Sequence, residues 1–399
     1  MKSKRSSSYL TGLLMTVAVS LLACAPAAQP SPTSPAAAPV PPATAPPART
    51  EAQAPAAAKP DAAAKADWQA EWNKAVAAAK QEGKLAISAT QSELYRQALM
   101  VFEQDYPEIK LEYTPMNGRD FWPRLMKERD VGQYLWDLRI GGVDLDGYKA
   151  RDAGALDSVR AQLLLPEVAD ESKWLGGFET IFADKERKHV FAFNTSLSGG
   201  IVVNRDLVSE SDLPSQKELV DPRWRGKIVI QDPRGGSGVS RLSVMLKVYG
   251  EPFVTSLLKQ DLVISGDKRQ IGEWVIRGRY PIAIGIGSDV LEFFQQEGLG
   301  QNVKKLAGVE APAIDTVQLV NRAAHPNAAR VFINWLLTPK VQARISDTVK
   351  QNSTRLDVPP VVKDDVIDPK RLAEFLFPQR EEFLPFRERA QQLATEILK

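Results

Sequence analysis

Cysteine is nearly absent: the chain has one in 399 residues. A single thiol excludes an internal disulfide and any zinc or iron–sulfur site built from several cysteines. Histidine is almost as scarce, with only His189 and His325. Neither a histidine-rich metal site nor a series of imidazole proton transfers is therefore expected. An excess of one charge is also lacking, since 51 Lys and Arg stand against 49 Asp and Glu. Lys2, Lys4 and Arg5 outweigh the whole net excess, and the chain from residue 67 onward is slightly acidic. A nucleic-acid partner, which calls for a basic surface that displaces counterions, is not expected. The chain has no Gly-x-x-x-x-Gly-Lys-Ser/Thr loop for ATP. It has no Gly-x-Ser-x-Gly elbow either, because Ser237 lies in Gly235-Gly-Ser-Gly-Val239. With the lone cysteine near the N-terminus, these absences leave no evident nucleophile. Neither an enzyme nor a cofactor is implied.

What is present begins with an export signal. Lys2, Lys4 and Arg5 precede an apolar stretch from Leu10 to Leu22 that is too short to span a membrane comfortably. It ends in Leu21-Leu22-Ala23-Cys24, which resembles the lipobox of bacterial lipoproteins. That resemblance implies a lipoprotein signal peptide over 1–23 and lipidation of Cys24. The protein would then be exported and lipid-anchored at the cell membrane, facing the periplasm or exterior. Each buried CH₂ of an acyl chain contributes roughly 0.8 kcal/mol to such anchoring. Residues 25–66 hold 11 of the 28 prolines and 18 alanines. Such a stretch lacks the bulky apolar groups needed to offset ordering entropy. Residues 24–66 therefore read as a disordered tether, which could reach roughly 100 Å if mostly extended.

From Asp67 the pattern changes. Trp68, Trp72, Val76 and Ala79 recur on one helical face, and Gly83 is a natural stop. Strand patterns at Lys84–Ala89, Ile109–Pro115 and Asp137–Ile140 alternate with helical ones. This β-α-β-α-β rhythm predicts a mostly parallel sheet covered by helices. A second rhythm runs through strands near 199–204, 226–230, 262–265 and 281–286, and a further strand near 316–320 leads into a helix over 326–337. The chain is accordingly read as α/β with two lobes. The first takes 67–192 and 309–345, and the second takes 193–308. Residues 346–399 read as a helical segment packing back on the second lobe.

Four stretches carry a family resemblance. They are Trp72-Asn-Lys-Ala-Val-Ala-Ala-Ala-Lys-Gln-Glu-Gly-Lys84, Phe102-Glu-Gln-Asp-Tyr-Pro-Glu-Ile109, Asp221-Pro-Arg-Trp-Arg-Gly-Lys-Ile228 and Ala324-His-Pro-Asn-Ala-Ala-Arg-Val-Phe-Ile-Asn-Trp-Leu336. In this order, the chain resembles bacterial extracellular solute-binding proteins of the type 2 periplasmic binding fold, in particular their iron-binding-protein-like group. The resemblance implies a clamshell whose interlobe cleft closes on a small-molecule solute. It also implies a membrane permease of an ABC importer as partner, and a monomer. Hinges are expected near Val190–Asn194 and Ala311–Val317.

Ligands of α/β sheets usually meet the carboxyl ends of strands and nearby helix starts. That rule selects Gln91 and Ser92 after the first strand, Gly142 after the third, Arg234 and Ser237 in the glycine-rich loop, and Ser288 and Asp289 after the strand 281–286. Arg269, beside Lys268 before a further helix, is added. Arg234 offers a planar fork to a carboxylate or phosphate. Asp289 would meet a ligand amine, ligate a metal or cap its helix. Ferric-ion-binding relatives place adjacent tyrosines at about positions 289 and 290, where this chain has Asp289-Val290, and no Tyr-Tyr pair occurs anywhere. The expected cargo is therefore a small anionic or zwitterionic solute. Ferric iron or a ferric chelate is the alternative, and a ligand-sensing module or a hydrolase stands below both.

Overall fold

The computed structural model describes residues 62–197, 200–286 and 288–398, without the side chains of 62–66, 236, 237, 288, 289 and 292. Cys24, the signal and most of the tether lie outside these residues. Among the described residues twelve strands form two sheets. They are β1 (Lys84–Ala89), β2 (Lys110–Pro115), β3 (Leu138–Gly141), β4 (Leu156–Asp157), β5 (Phe191–Ser196), β6 (Gly200–Asn204), β7 (Ile228–Gln231), β8 (Val263–Ser265), β9 (Ile282–Ile286), β10 (Val303–Lys305), β11 (Ala313–Val320) and β12 (Asn352–Ser353).

The first sheet runs β12-β5-β11-β3-β1-β2, with β4 on the end of β11. The second runs β10-β6-β9-β7-β8. Neither is mostly parallel, as the β-α-β-α-β rhythm suggests. β1 pairs in parallel with β2 and β3, but β11 arrives from the other lobe and inserts antiparallel between β3 and β5. A strand supplied by a returning crossover is free of the handed βαβ connection that makes neighbours parallel.

Each sheet is covered on both faces, so its central strands read as continuous apolar runs. On β7, Ile228 and Ile230 join one cluster with Leu242 and Leu257, while Val229 joins Ile271 and Val275 on the opposite face. In the first lobe Leu138 and Ile140 of β3 face a core with Ile87, Phe102 and Phe332. The opposite face is covered by Phe121, Trp122 and Leu125 of the helix Gly118–Asp130. Burying each such side chain contributes about 1.5–3 kcal/mol. Asp137 ties the lobe together: its fully buried carboxylate accepts from Ala86 N (2.7 Å) and His325 N (2.8 Å), with His325 Nδ1 also 2.8 Å away. The two histidines are thus structural, since His189 likewise lies against Asp184.

The chain passes between the lobes after Ser196 and again between Lys305 and Ala313. The first passage lies beyond residue 192 and the expected hinge at Val190–Asn194, because β5 remains hydrogen-bonded to β11 through Ser196. Residues 346–399 do not pack as one unit on the second lobe, as the sequence suggests. β12 joins the first sheet, and Phe375 and Phe377 enter the first core. Gln379 brackets Ile314 of β11, accepting from its N–H (2.7 Å) and donating to its carbonyl (3.1 Å). The final helix Leu384–Ile397 lies on the second lobe through Ala390, Leu393 and Ala394, Phe383 just before it packs with Val244, and Asp365 accepts from Lys305 Nζ of β10 at 2.9 Å. The apolar face of that helix is the part the sequence makes obvious. The preceding phenylalanines have no periodicity that assigns them to a lobe.

Candidate functional site

Lobe one presents the carboxyl ends of β1 and β3, and lobe two those of β7 and β9. The structure places the sequence-selected residues around these ends in different roles. Gln91 is exposed and its Oε1 accepts from Asn117 Nδ2 at 3.1 Å. Ser92 is the N-cap of the helix Glu93–Met100 and accepts from Tyr95 N at 3.3 Å, so part of its capacity is committed. At Gly142 a Cβ would lie 2.7 Å from Gln379 Nε2; the room this glycine provides is taken by the C-terminal segment. Arg234 is exposed and forked onto Asp232 at 2.9 and 3.0 Å. It also lines an open hollow of about 680 Å³ with Ile397 and Leu398, whose lining belongs to the second lobe and the last helix alone. Arg269 stacks 4.6 Å over the Phe293 ring. The helix it opens is capped by Asp267, which accepts from Arg269 N (2.9 Å) and Gln270 N (3.1 Å). The side chains of Ser237, Ser288 and Asp289 lie outside the described residues. The helix Gly236–Tyr249 starts from Gly235, which makes no side-chain cap bond.

The structure also brings together residues that sequence reasoning missed. Arg139, in the middle of β3, is 2% exposed. Side chains at i and i+2 share a face of a strand, and Arg139 Nη2 lies beside Gly141. A Cβ at Gly141 would sit 3.3 Å from that nitrogen and 2.4 Å from Thr90 Oγ1. The arginine therefore runs along β3 toward its carboxyl end, and the bare Cα of Gly141, at φ +137, leaves the space. Its guanidinium lies over Phe121, 5.4 Å from the ring centroid. Among the described residues its hydrogen bonding amounts to Nη1 donating to Ser88 Oγ at 3.3 Å. Nε is buried and unmatched, as is Oε1 of its cross-strand neighbour Gln318. Burial lowers the guanidinium to a pKa of about 10, opposed by the charges of Asp144 and Asp315.

Asp144 and Asp315 flank this cation. Asp144 caps the helix Leu145–Asp152 by accepting from Gly147 N at 3.0 Å, and burial raises its pKa despite that bond and Arg387. Asp315 accepts from the Tyr95 hydroxyl at 2.6 Å, and Gln351 Oε1 lies 2.9 Å from the same hydroxyl. Burial raises Asp315 above the usual carboxylate range, while Tyr95, Gln351 and then Lys268 of the opposite lobe pull it down. Burial and then Asp315 hold the Tyr95 phenol well above its ordinary value. Asn194, opposite Asp315 in register, is fully buried with both amide atoms unmatched. Arg119 of the first lobe similarly lowers Asp232 of the second, behind the larger effect of Arg234. The sequence signal for Arg139 was a charge inside Asp137-Leu-Arg-Ile140, a segment that otherwise reads as a buried strand.

A family model described as bacterial extracellular solute-binding protein matches residues 84–348. The chain belongs to this family, which makes it a solute-binding protein rather than an enzyme. Among solved structures it is similar to iron-bound HitA from Pseudomonas aeruginosa, with 16% identity, a TM-score of 0.64, and coverage of 79% of this chain and 99% of that one. It is also similar to IdiA (FutA) of Trichodesmium in complex with iron and citrate ligands, at 15% identity and a TM-score of 0.61, covering 79% and 99%. A third is the substrate-binding protein of the ABC transporter from Agrobacterium tumefaciens, at 16% identity and a TM-score of 0.61, covering 79% and 94%. These likenesses establish the two-lobed type 2 periplasmic binding fold. No curated protein matches the chain.

Proposed function

We propose that this protein is the monomeric, Cys24-anchored substrate-binding lipoprotein of an ABC importer. It captures a small anionic solute between its lobes and delivers it to the membrane permease. The favoured cargo is ferric iron carried as an anionic chelate. The observation that carries the anionic reading is the under-paired Arg139, whose side chain runs toward the carboxyl end of β3, with Lys268 and Arg119 facing the carboxylates across the lobes. The importer is supported by the family and by the Agrobacterium relative. Iron is supported by the iron-bound HitA and by the Trichodesmium protein with iron and citrate.

The donor set favours a chelate over the bare ion. Among the described residues no group of three or more His, Cys, Asp or Glu is placed to hold a metal. The Tyr95 phenol is bonded to Asp315, and its raised pKa opposes the phenolate that Fe³⁺ would need. A chelate brings its own oxygen ligands and requires from the protein only charge and hydrogen bonds.

The test is the melting temperature of the purified full chain, stripped of bound solute. It is measured with citrate, ferric citrate, ferric salt alone, phosphate, amino acids and polyamines. A ligand at 100 times its Kd stabilises by about 2.7 kcal/mol, a clear shift. A saturable shift with ferric citrate or another anion is expected. A shift with ferric salt alone would replace the chelate by the bare ion, and a shift only with polyamines would overturn the anionic reading.

A further inference from the structure

An ionised side chain buried in a protein is normally paired or saturated with hydrogen bonds, because removing it from water is costly. Arg139 departs from that rule. It is 2% exposed, and its one side-chain hydrogen bond among the described residues, to Ser88 Oγ, is long at 3.3 Å. No carboxylate among the described residues lies within the 4.0 Å of an ion pair, and Nε has no partner. The nearest acids are engaged elsewhere: Asp144 holds Gly147 N, and Asp315 holds the Tyr95 hydroxyl. Phe121 covers one side of the guanidinium plane. Nη2, which is not among the buried unmatched atoms, lies at the carboxyl end of β3 beside Gly141 and the Thr90 hydroxyl.

We propose that Arg139 is the anion anchor of this protein: the acidic group of the solute meets Nη2 at the carboxyl end of β3 and supplies the counter-charge that the fold withholds from the guanidinium. The anchor rests on the solute-binding function proposed above and names the residue that carries its preference for anions. The solute oxygen accepts from Nη2, with the Thr90 hydroxyl at its side. Binding therefore relieves a desolvated cation that the unliganded protein must tolerate. Arginine suits the position because its fork meets a carboxylate or phosphate with two parallel bonds and its flat face stacks on Phe121. Burial lowers the guanidinium's pKa, as expected of a cation lacking a local partner, yet it stays charged at neutral pH.

The experiment compares the full chain with its Arg139→Met and Arg139→Lys variants. Calorimetric titration uses citrate, ferric citrate, inorganic phosphate and sulfate, and the unfolding midpoint of each protein is measured without solute. The wild type is expected to bind at least one of these anions. Arg139→Met should bind it about 30-fold or more weakly, the effect of truncating one side of a buried charge pair, with its solute-free midpoint unchanged or raised. Arg139→Lys should fall between the two, keeping the charge and losing the fork. If Arg139→Met binds as the wild type does, the anchor is overturned and the solute-binding function stands. If its solute-free midpoint falls, or the variant does not fold, the arginine is structural and the anchor is overturned. Binding of none of the four anions by the wild type would overturn the anionic reading itself, and the anchor with it.

Discussion

Two buried arginines of the first lobe, Arg355 and Arg139, have the same 2% exposure and opposite surroundings. Arg355 is saturated. Its Nε and Nη2 grip the two oxygens of Asp357 at 2.8 Å each, and Nη1 donates to the carbonyls of Glu167 (2.9 Å) and Leu337 (3.0 Å). Its plane lies 4.8 Å over Trp174. Arg139 has an aromatic cover too, but among the described residues it has one long bond and no carboxylate. Burial alone therefore does not distinguish an arginine that holds a fold from one that awaits a partner. The distinction lies in how many of its five N–H groups the protein itself satisfies.

The contrast is sharpest in what each truncation should do. Arg355→Met strands two carbonyls and a carboxylate, and should cost about 3–5 kcal/mol, read from urea unfolding. A loss below about 1 kcal/mol would erase the difference between the two sites. Arg139→Met should reverse the pattern, with affinity for the anionic solute falling about 30-fold or more and no loss of solute-free stability.

Asp184 extends the comparison to an acid of the saturated kind. Burial raises its pKa, but His189 and the N–H groups of Lys188, Val190 and His189 outweigh burial and hold it at about 2. A carboxyl depressed in the folded state stabilises above its unfolded pKa, and that stability is lost as pH falls from about 4 through about 2. Asp184→Asn should therefore cost ~2 kcal/mol at pH 7, and the wild-type advantage should shrink toward pH 2 in paired urea titrations. A gap that persists at low pH would show that packing, not charge, sets the effect.

The smallest change is expected at Arg234. It is exposed and paired only with Asp232 two residues away, so Arg234→Ala should alter stability by less than about 0.5 kcal/mol. Its effect on solute affinity should be well below that of Arg139→Met. A larger effect in titration would move the anion anchor to the second lobe.

Much of the fold is legible in the chain. Lys84-Leu-Ala-Ile-Ser-Ala89 reads as a buried strand and is β1, and Pro326 opens a helix as its fixed φ favours. The strands near 199–204, 226–230, 262–265 and 281–286 fall within two residues of β6, β7, β8 and β9. Less legible were β5, which reads only as an extended hinge, and β10 and β12, which are too short to show a period. The site was harder still. Loop positions after strands led to Arg234 and Gly142, but the structure turns the first onto Asp232 and fills the space beside the second with Gln379. Which loop residue remains free is decided by segments far away in sequence.

The sequence by itself determined the α/β character, the two rhythms and the family, because burial of apolar faces at periods of 2 and 3.6 is a local property of the chain. The tertiary structure decided what becomes of each charge. Arg139 and Arg355 are each a basic residue in an otherwise ordinary strand or loop. Strand order places Ser88 and Gln318 beside Arg139 and withholds a carboxylate, whereas Asp357 and two backbone carbonyls converge on Arg355. Desolvation and pairing are fixed only when distant segments meet, so a buried cation's role is legible only in the assembled fold.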